Sequence, residues 1–222
     1  MARILITSGP TRQYLDPVRY LTNASSGRMG RALAEAALAL GHEVMIVSGP
    51  VAIDYPPRAK VRSIISTEEL LATCQELFPT CDGVIGAAAP CDYRPVRVEE
   101  QKIAKTGQPL ALNLVETPDV MATLGAAKRP GQWLVGFALE TDDQRFRALT
   151  KLVKKSCDLI VLNGTAAIDA ADNQVEILDK TGAVVAALAG PKESVAEGIL
   201  RVINDRLIAQ GERRTEDGGQ GF

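Results

Sequence analysis

Short apolar runs alternate with segments of helical period through most of the chain. Arg3 to Thr7 reads as a buried strand running into Ser8-Gly9-Pro10. Met29, Leu33, Ala37 and Leu40 recur at helical spacing, and Gly41 ends that helix. Strands are expected from Glu43 to Ser48 and from Val61 to Ser66. A helix follows with Thr67 as its N-cap, Glu69 in its first turn and its end near Leu77. Gly83 to Ala89 is apolar throughout, as in a strand covered on both faces. Pro118 opens a short helix to about Ala127. Trp133 to Ala138 is a fifth strand, and Asp158 to Leu162 a sixth. Between them Asp142 to Lys155 is helical, with Phe146, Leu149, Leu152 and Val153 assigned to its apolar face. Gln174 to Leu178 and Val184 to Leu188 flank Asp179-Lys-Thr-Gly182 and predict an antiparallel hairpin. A last amphipathic helix runs from Glu193 to about Ala209, and the polar residues 211–222 are expected to be a disordered tail.

This alternation predicts one α/β domain over residues 1–210, built on an open, mainly parallel sheet with helices on both faces and a C-terminal antiparallel hairpin. Ligands of such sheets bind beyond the carboxyl ends of the strands. That rule gathers residues 8–27, 86–95, 137–141 and 163–173 into one region. The polar excursion from about Arg94 to Val115 breaks the alternation and reads as a flap over it.

Composition narrows the function classes. The 222 residues are 46% hydrophobic and 23% charged with a net charge of −2, so no general attraction to nucleic acid or to a membrane surface is expected. A chain this long buries roughly 70% of its unfolded surface and needs no disulfide. Cys74, Cys81, Cys91 and Cys157 form no C-x-x-C pair, and the single His42 leaves little material for a zinc site and argues against a Ser-His-Asp triad. The N-terminus has no signal-type apolar region and no apolar run reaches 18 residues, so a cytoplasmic protein is expected.

The richest stretch is Asp16-Pro-Val-Arg-Tyr-Leu-Thr-Asn-Ala-Ser-Ser-Gly27, placed between the first strand and first helix. Small residues at a strand-to-helix turn let backbone N–H groups reach an anion, and the helix dipole favours its charge. Arg19 and Asn23 add a cation and an amide. Gly86-Ala-Ala-Ala-Pro-Cys-Asp92 allows close approach of a ligand to backbone, with Asp92 positioned for a nucleobase amino group, a metal or simply a turn. Lys151 and Lys155, one turn apart, read as a solvated face, whereas Lys102 on the flap can swing over an anion. Phe137, followed by Glu140-Thr141, is either a base-stacking edge or plain core. No Walker A motif and no G-x-G-x-x-G is present; Gly27-x-x-Gly30 falls too late for a dinucleotide fingerprint.

Taken in order, Thr7-Ser-Gly-Pro-Thr-Arg12, Asp16-Pro-Val-Arg-Tyr20, Asn23-x-Ser-Ser-Gly27, Asp92-Tyr-Arg-Pro95, Lys102-Ile103, Pro118-Asp119, Gly136-Phe-Ala-x-Glu-Thr141 and Asp158-Leu-Ile-Val-x-Asn163 resemble the phosphopantothenate–cysteine ligases over nearly the whole folded chain. The resemblance implies a Rossmann-like sheet and a two-step reaction: 4'-phosphopantothenate attacks CTP to give an acyl-cytidylate and pyrophosphate, and L-cysteine then displaces CMP. It implies Mg2+, CTP as cosubstrate and a homodimer whose partner subunit completes the pocket. By matching motif, Asn23, Lys102 and Arg19 would be catalytic. Asn23, Ser26, Gly27 and Ala88 would hold the acyl substrate. Gly86, Ala87, Ala88, Asp92, Lys102, Pro118, Asp119, Val120, Met121, Phe137, Lys151 and Lys155 would contact the nucleotide. The resemblance assigns no metal ligands. The chain departs from the family pattern at Pro90-Cys91, at Ala104, and over the segment Ile168 to Asn173, which bears on CTP versus ATP. The flavodoxin-like decarboxylase half that accompanies many family members has no counterpart in this sequence. Two other readings are an NAD(P)-dependent oxidoreductase on a similar sheet, for which no glycine fingerprint or Tyr-Lys pair is visible, and a CTP-binding domain without turnover.

Overall fold

The computed structural model describes residues 1–139, 144–163 and 172–209. The expected tail at 211–222, the pair Glu140-Thr141 and the altered stretch from Ile168 lie outside them, except for its end at Asp172-Asn173.

The chain runs β1 (Arg3–Ser8), β2 (Arg12–Tyr14), β3 (Tyr20–Thr22), α1 (Arg28–Ala39), β4 (Glu43–Ser48), β5 (Lys60–Ser63), α2 (Thr67–Leu77), β6 (Gly83–Gly86), β7 (Tyr93–Pro95), β8 (Leu114–Glu116), α3 (Val120–Ala126), β9 (Trp133–Leu139), α4 (Gln144–Lys154), β10 (Leu159–Asn163), β11 (Asp172–Asp179), β12 (Val184–Pro191) and α5 (Lys192–Ile203). A π-helical turn, Asn204–Ile208, continues α5.

The main sheet has the order β12-β11-β10-β9-β6-β1-β4-β5. From β10 to β5 every pairing is parallel, and β11 and β12 add the antiparallel hairpin. Its parallel strands, counted from β5, follow the doubly wound 3-2-1-4-5-6 order, whose switch point lies between β1 and β6. Side-chain alternation along the strands builds two cores. Ile4, Ile6, Ile46 and Val135 pack under α1 and α5, while Leu5, Val47, Leu134 and Ile160 pack under α2, α3 and α4. The loops after β1 and β6 leave the switch point side by side. Pro10 bridges Ala89, and the Ala87 and Ala89 N–H groups donate to Thr7 and Gly9 carbonyls at 3.2 and 2.9 Å.

Gly30 lets α1 start this close to β1, because a Cβ there would fall on the Ser8 side chain. Gly27, with φ +74°, turns the chain into the helix in a backbone conformation glycine adopts without strain.

Several local expectations are corrected. Ser66, not Thr67, caps α2, its side chain accepting from Glu69 N–H at 3.1 Å. Thr67 is the first helical residue, and its hydroxyl is buried against Thr11. The third expected strand stops at Ser63 and the fourth at Gly86. On α4, Ala148 and Leu152 are buried, whereas Phe146 and Val153 are 70% and 72% exposed. Alanine does the packing at a position where hydropathy alone points to the larger side chains. The flap is not wholly irregular: β7 and β8 form a small antiparallel sheet at its base, and β2 and β3 form another beside it.

Candidate functional site

Two clefts lie at the carboxyl ends of the parallel strands. The first, of about 420 Å³, runs from Gly86 past Asp92 and the start of α3 to Lys151, Lys154 and Lys155. The second, of about 580 Å³, runs from Asn23 and the start of α1 across to Asn163, Asn173 and Lys192. They meet at Ala88, Asp92, Phe137 and Lys151, which line both.

The shared floor is held rigidly. Ala88 N–H donates to Thr7 Oγ1 at 3.2 Å, and Cys91 N–H to Thr11 Oγ1 at 2.7 Å. The Cys91 carbonyl accepts from the hydroxyls of Thr67 and Thr117. Asn23 Nδ2 donates to the Pro90 carbonyl at 2.7 Å, tying the first loop to the second. Pro90 therefore keeps the acceptor that this contact needs.

In the first cleft, Asp119 caps α3 by accepting from Ala122 N–H at 3.1 Å, and its Oδ1 lies 3.1 Å from Lys155 Nζ. Lys151 and Lys154, from α4, which ends just before Lys155, line the same cleft wall. Three cations on one wall suit a polyanion. In the second cleft no side chain caps α1, and Arg28, Met29 and Gly30 line the wall beside Ser25 and Ser26. Open N–H groups, a helix dipole and two hydroxyls form an anion seat.

Every residue expected to hold the acyl substrate therefore lies on the second cleft, and every nucleotide residue except Lys102 on one or both clefts. Arg19 and Lys102 line neither. Arg19 forms a clamp instead: its guanidinium donates to Asp16 Oδ2 and to the Ile103 carbonyl, each at 3.0 Å. The fully buried Asp16 also accepts N–H bonds from Val18, Arg19 and Ile103. Burial by itself would raise the Asp16 pKa, but those three N–H bonds and the Arg19 charge outweigh it and hold the carboxyl below its usual value. The cluster pins the flap immediately after Lys102.

Residues 1–207 match the family described as the DNA/pantothenate metabolism flavoprotein C-terminal domain. The chain belongs to that family. It is 38% identical over 217 residues to the coenzyme A biosynthesis bifunctional protein CoaBC of Vibrio cholerae, covering 92% of this chain and 53% of that protein. It is 40% identical over 206 residues to a cysteine/cysteine sulfinic acid decarboxylase of an unknown prokaryotic organism, covering 90% of this chain and 57% of that protein. The chain thus spans about half the length of these curated relatives. Among solved structures, the C-terminal domain of a CoaBC superposes with a TM-score of 0.78 at 38% identity, covering 92% of this chain and 96% of that one.

The family domain carries residues at its clefts that sequence reasoning did not single out as ligands: Lys154, Asn163, Asn173 and Lys192. The available signal for Asn163 was its place directly after an apolar strand; for Lys154, its place beside Lys155. Among the described residues no group of three or more His, Cys, Asp or Glu side chains can hold a metal. Asp92, Glu116 and Asp119 are the carboxylates that line the first cleft. No described helix is long and apolar enough to cross a membrane.

Proposed function

We propose that this family domain is a phosphopantothenate–cysteine ligase acting in the cytoplasm in coenzyme A biosynthesis, with CTP as the activating nucleotide. The observation that carries the reading is the meeting of the two clefts at Ala88, Asp92, Phe137 and Lys151: a lysine-walled cleft for a triphosphate opens onto a cleft ending in an uncapped helix start. The 4'-phosphopantothenate phosphate sits at the N-terminus of α1 with Ser26 and Gly27. Its carboxylate is then directed toward the junction, where it attacks the α-phosphorus of CTP. The new acyl–O–P bond forms as the bond to pyrophosphate breaks. Cysteine in its free-amine form then attacks the acyl carbon, and the C–O bond to CMP breaks as the amide forms.

Each residue has a physical part. Asp92 accepts from the exocyclic amine of cytosine, and Phe137 provides an apolar face beside it. Lys151, Lys154 and Lys155 offset triphosphate charge, which magnesium also neutralises when bound. Asn23, at the junction, holds the acyl end in register. Arg19 acts through Asp16 on the flap rather than on substrate.

The decisive experiment incubates the protein with 4'-phosphopantothenate, magnesium and either CTP or ATP, without cysteine, and looks for the adduct by mass spectrometry. An acyl-cytidylate is expected. An acyl-adenylate would keep the reaction and change the nucleotide. Neither adduct from folded protein would overturn the ligase reading in favour of a domain without turnover.

The flap also supports a homodimer. Leu110, Leu112 and Leu114 recur with a period of two on the flap, and all are exposed, as are Val96 and Val98 on its other limb. An apolar ribbon of this kind is costly in water and is covered in a dimer by the same ribbon of a second copy. Sedimentation is expected to show a dimer for the wild type and a monomer for Leu112→Lys.

A further inference from the structure

The far wall of the second cleft holds a feature that neither the fold nor the reaction so far explains. Asn173, at the start of β11, is only 4% exposed, and its Oδ1 is buried without a hydrogen-bond partner among the described residues. A buried amide carbonyl left unpaired destabilises a free protein, and native chains avoid it. The exception is tolerated where a ligand supplies the missing partner. Asn173 lines the cleft that also holds Asn23 and the start of α1. The register explains how it gets there. Asn163, the last residue of β10, faces Val175 across the ladder, so Asn173 extends two residues beyond that pair at the carboxyl edge of the sheet, opposite Gly190.

We infer that Asn173 is a specificity-determining residue whose side-chain carbonyl accepts a hydrogen bond from an N–H or O–H group of the bound substrate. The inference rests on the ligase reading for the identity of that substrate. On that reading two molecules offer such donors: the amide and hydroxyl groups of 4'-phosphopantothenate and the amine of cysteine. A bound substrate lacking the donor leaves the buried oxygen unpaired, and that penalty is what discriminates.

Asn173→Leu removes the acceptor at similar volume, and Asn173→Ala serves if leucine does not fit. Melting temperature, calorimetric binding of 4'-phosphopantothenate and KM for cysteine are measured on each. The expected result is a melting temperature equal to or above wild type, because an unpaired polar atom has been removed. Weaker binding, by roughly 10- to 100-fold, should accompany it for one substrate, with kcat much less affected. A change in 4'-phosphopantothenate binding assigns the donor to the acyl substrate, and a change only in KM for cysteine assigns it to the amine. A lowered melting temperature with unchanged binding and KM would show a structural residue and overturn the inference. Wild-type binding and turnover alongside wild-type kinetics in both variants would also overturn it while leaving the ligase reading intact. A wild type that binds neither substrate overturns the ligase reading and this assignment with it.

Discussion

Replacing Lys102 with glutamine is expected to reduce acyl-cytidylate formation roughly 10²- to 10³-fold, the usual effect of removing one group matched to charge that develops in the transition state. The melting temperature should not change, because the side chain is exposed. The size of the effect follows from the anchoring of its neighbour. Ile103 donates its N–H to Asp16 Oδ2 at 3.1 Å and gives its carbonyl to Arg19 at 3.0 Å, so the backbone beside Lys102 is fixed to the loop that leads to Asn23. A lysine beside a fixed point reaches a phosphate with less loss of chain freedom than one on a free loop. The test separates the two half-reactions. Pyrophosphate release from CTP and 4'-phosphopantothenate should fall, whereas release of CMP from supplied acyl-cytidylate and cysteine should proceed at the wild-type rate. An equal fall in both halves would mean that the lysine supports the site as a whole.

The Arg19 clamp shows what a sequence does and does not reveal. A cation four residues before an amide, in a loop rich in small residues, reads as a ligand contact. Asp16, three residues earlier, is the competing partner, and it wins because it is fully buried and needs compensation. That outcome depends on Ile103, 84 residues downstream of Arg19, which local pattern cannot bring near. The centre of the main sheet was legible because β1, β4, β6 and β10 are nearly continuous apolar runs covered on both faces. The small sheets β2–β3 and β7–β8 were not, since three-residue strands are too short for alternation to register. Asn23, Asp92 and Phe137 were found through ordered motifs and Lys151 and Lys155 through the family resemblance, and the topology brings them to the clefts. Asn173 closes the stretch from Ile168 that departs from the family pattern, so the sequence placed it on the ligand side without giving it a role; its burial without a partner marks it.

The largest effect on stability is expected at the opposite end of the sheet, where Asp158→Ala should cost about 3 kcal/mol and leave activity per folded molecule unchanged. Asp158, 12% exposed, lies 2.7 Å from both Lys128 Nζ and Lys180 Nζ. It also accepts the Leu134 N–H at 2.7 Å, joining the turn after α3, the β11–β12 turn and the start of β9 at one carboxylate. Truncation leaves Lys128, 15% exposed, without its counter-charge and the Leu134 N–H without its side-chain acceptor. For a chain of this length such a loss lowers the melting temperature by roughly 6–12 °C. Burial alone would raise the Asp158 pKa, but the two lysines and the N–H bond prevail and hold it below the ordinary carboxylate value. A carboxyl depressed in the folded state stabilises fully above its unfolded pKa, near 4, and loses that contribution as the pH falls through the lower folded value. The gap in melting temperature between wild type and Asp158→Ala should therefore stay constant from neutral pH down to about 5 and close below about 4. A gap that persists unchanged into that acid range would show that the alanine acts through lost packing, not through the charge the three elements share.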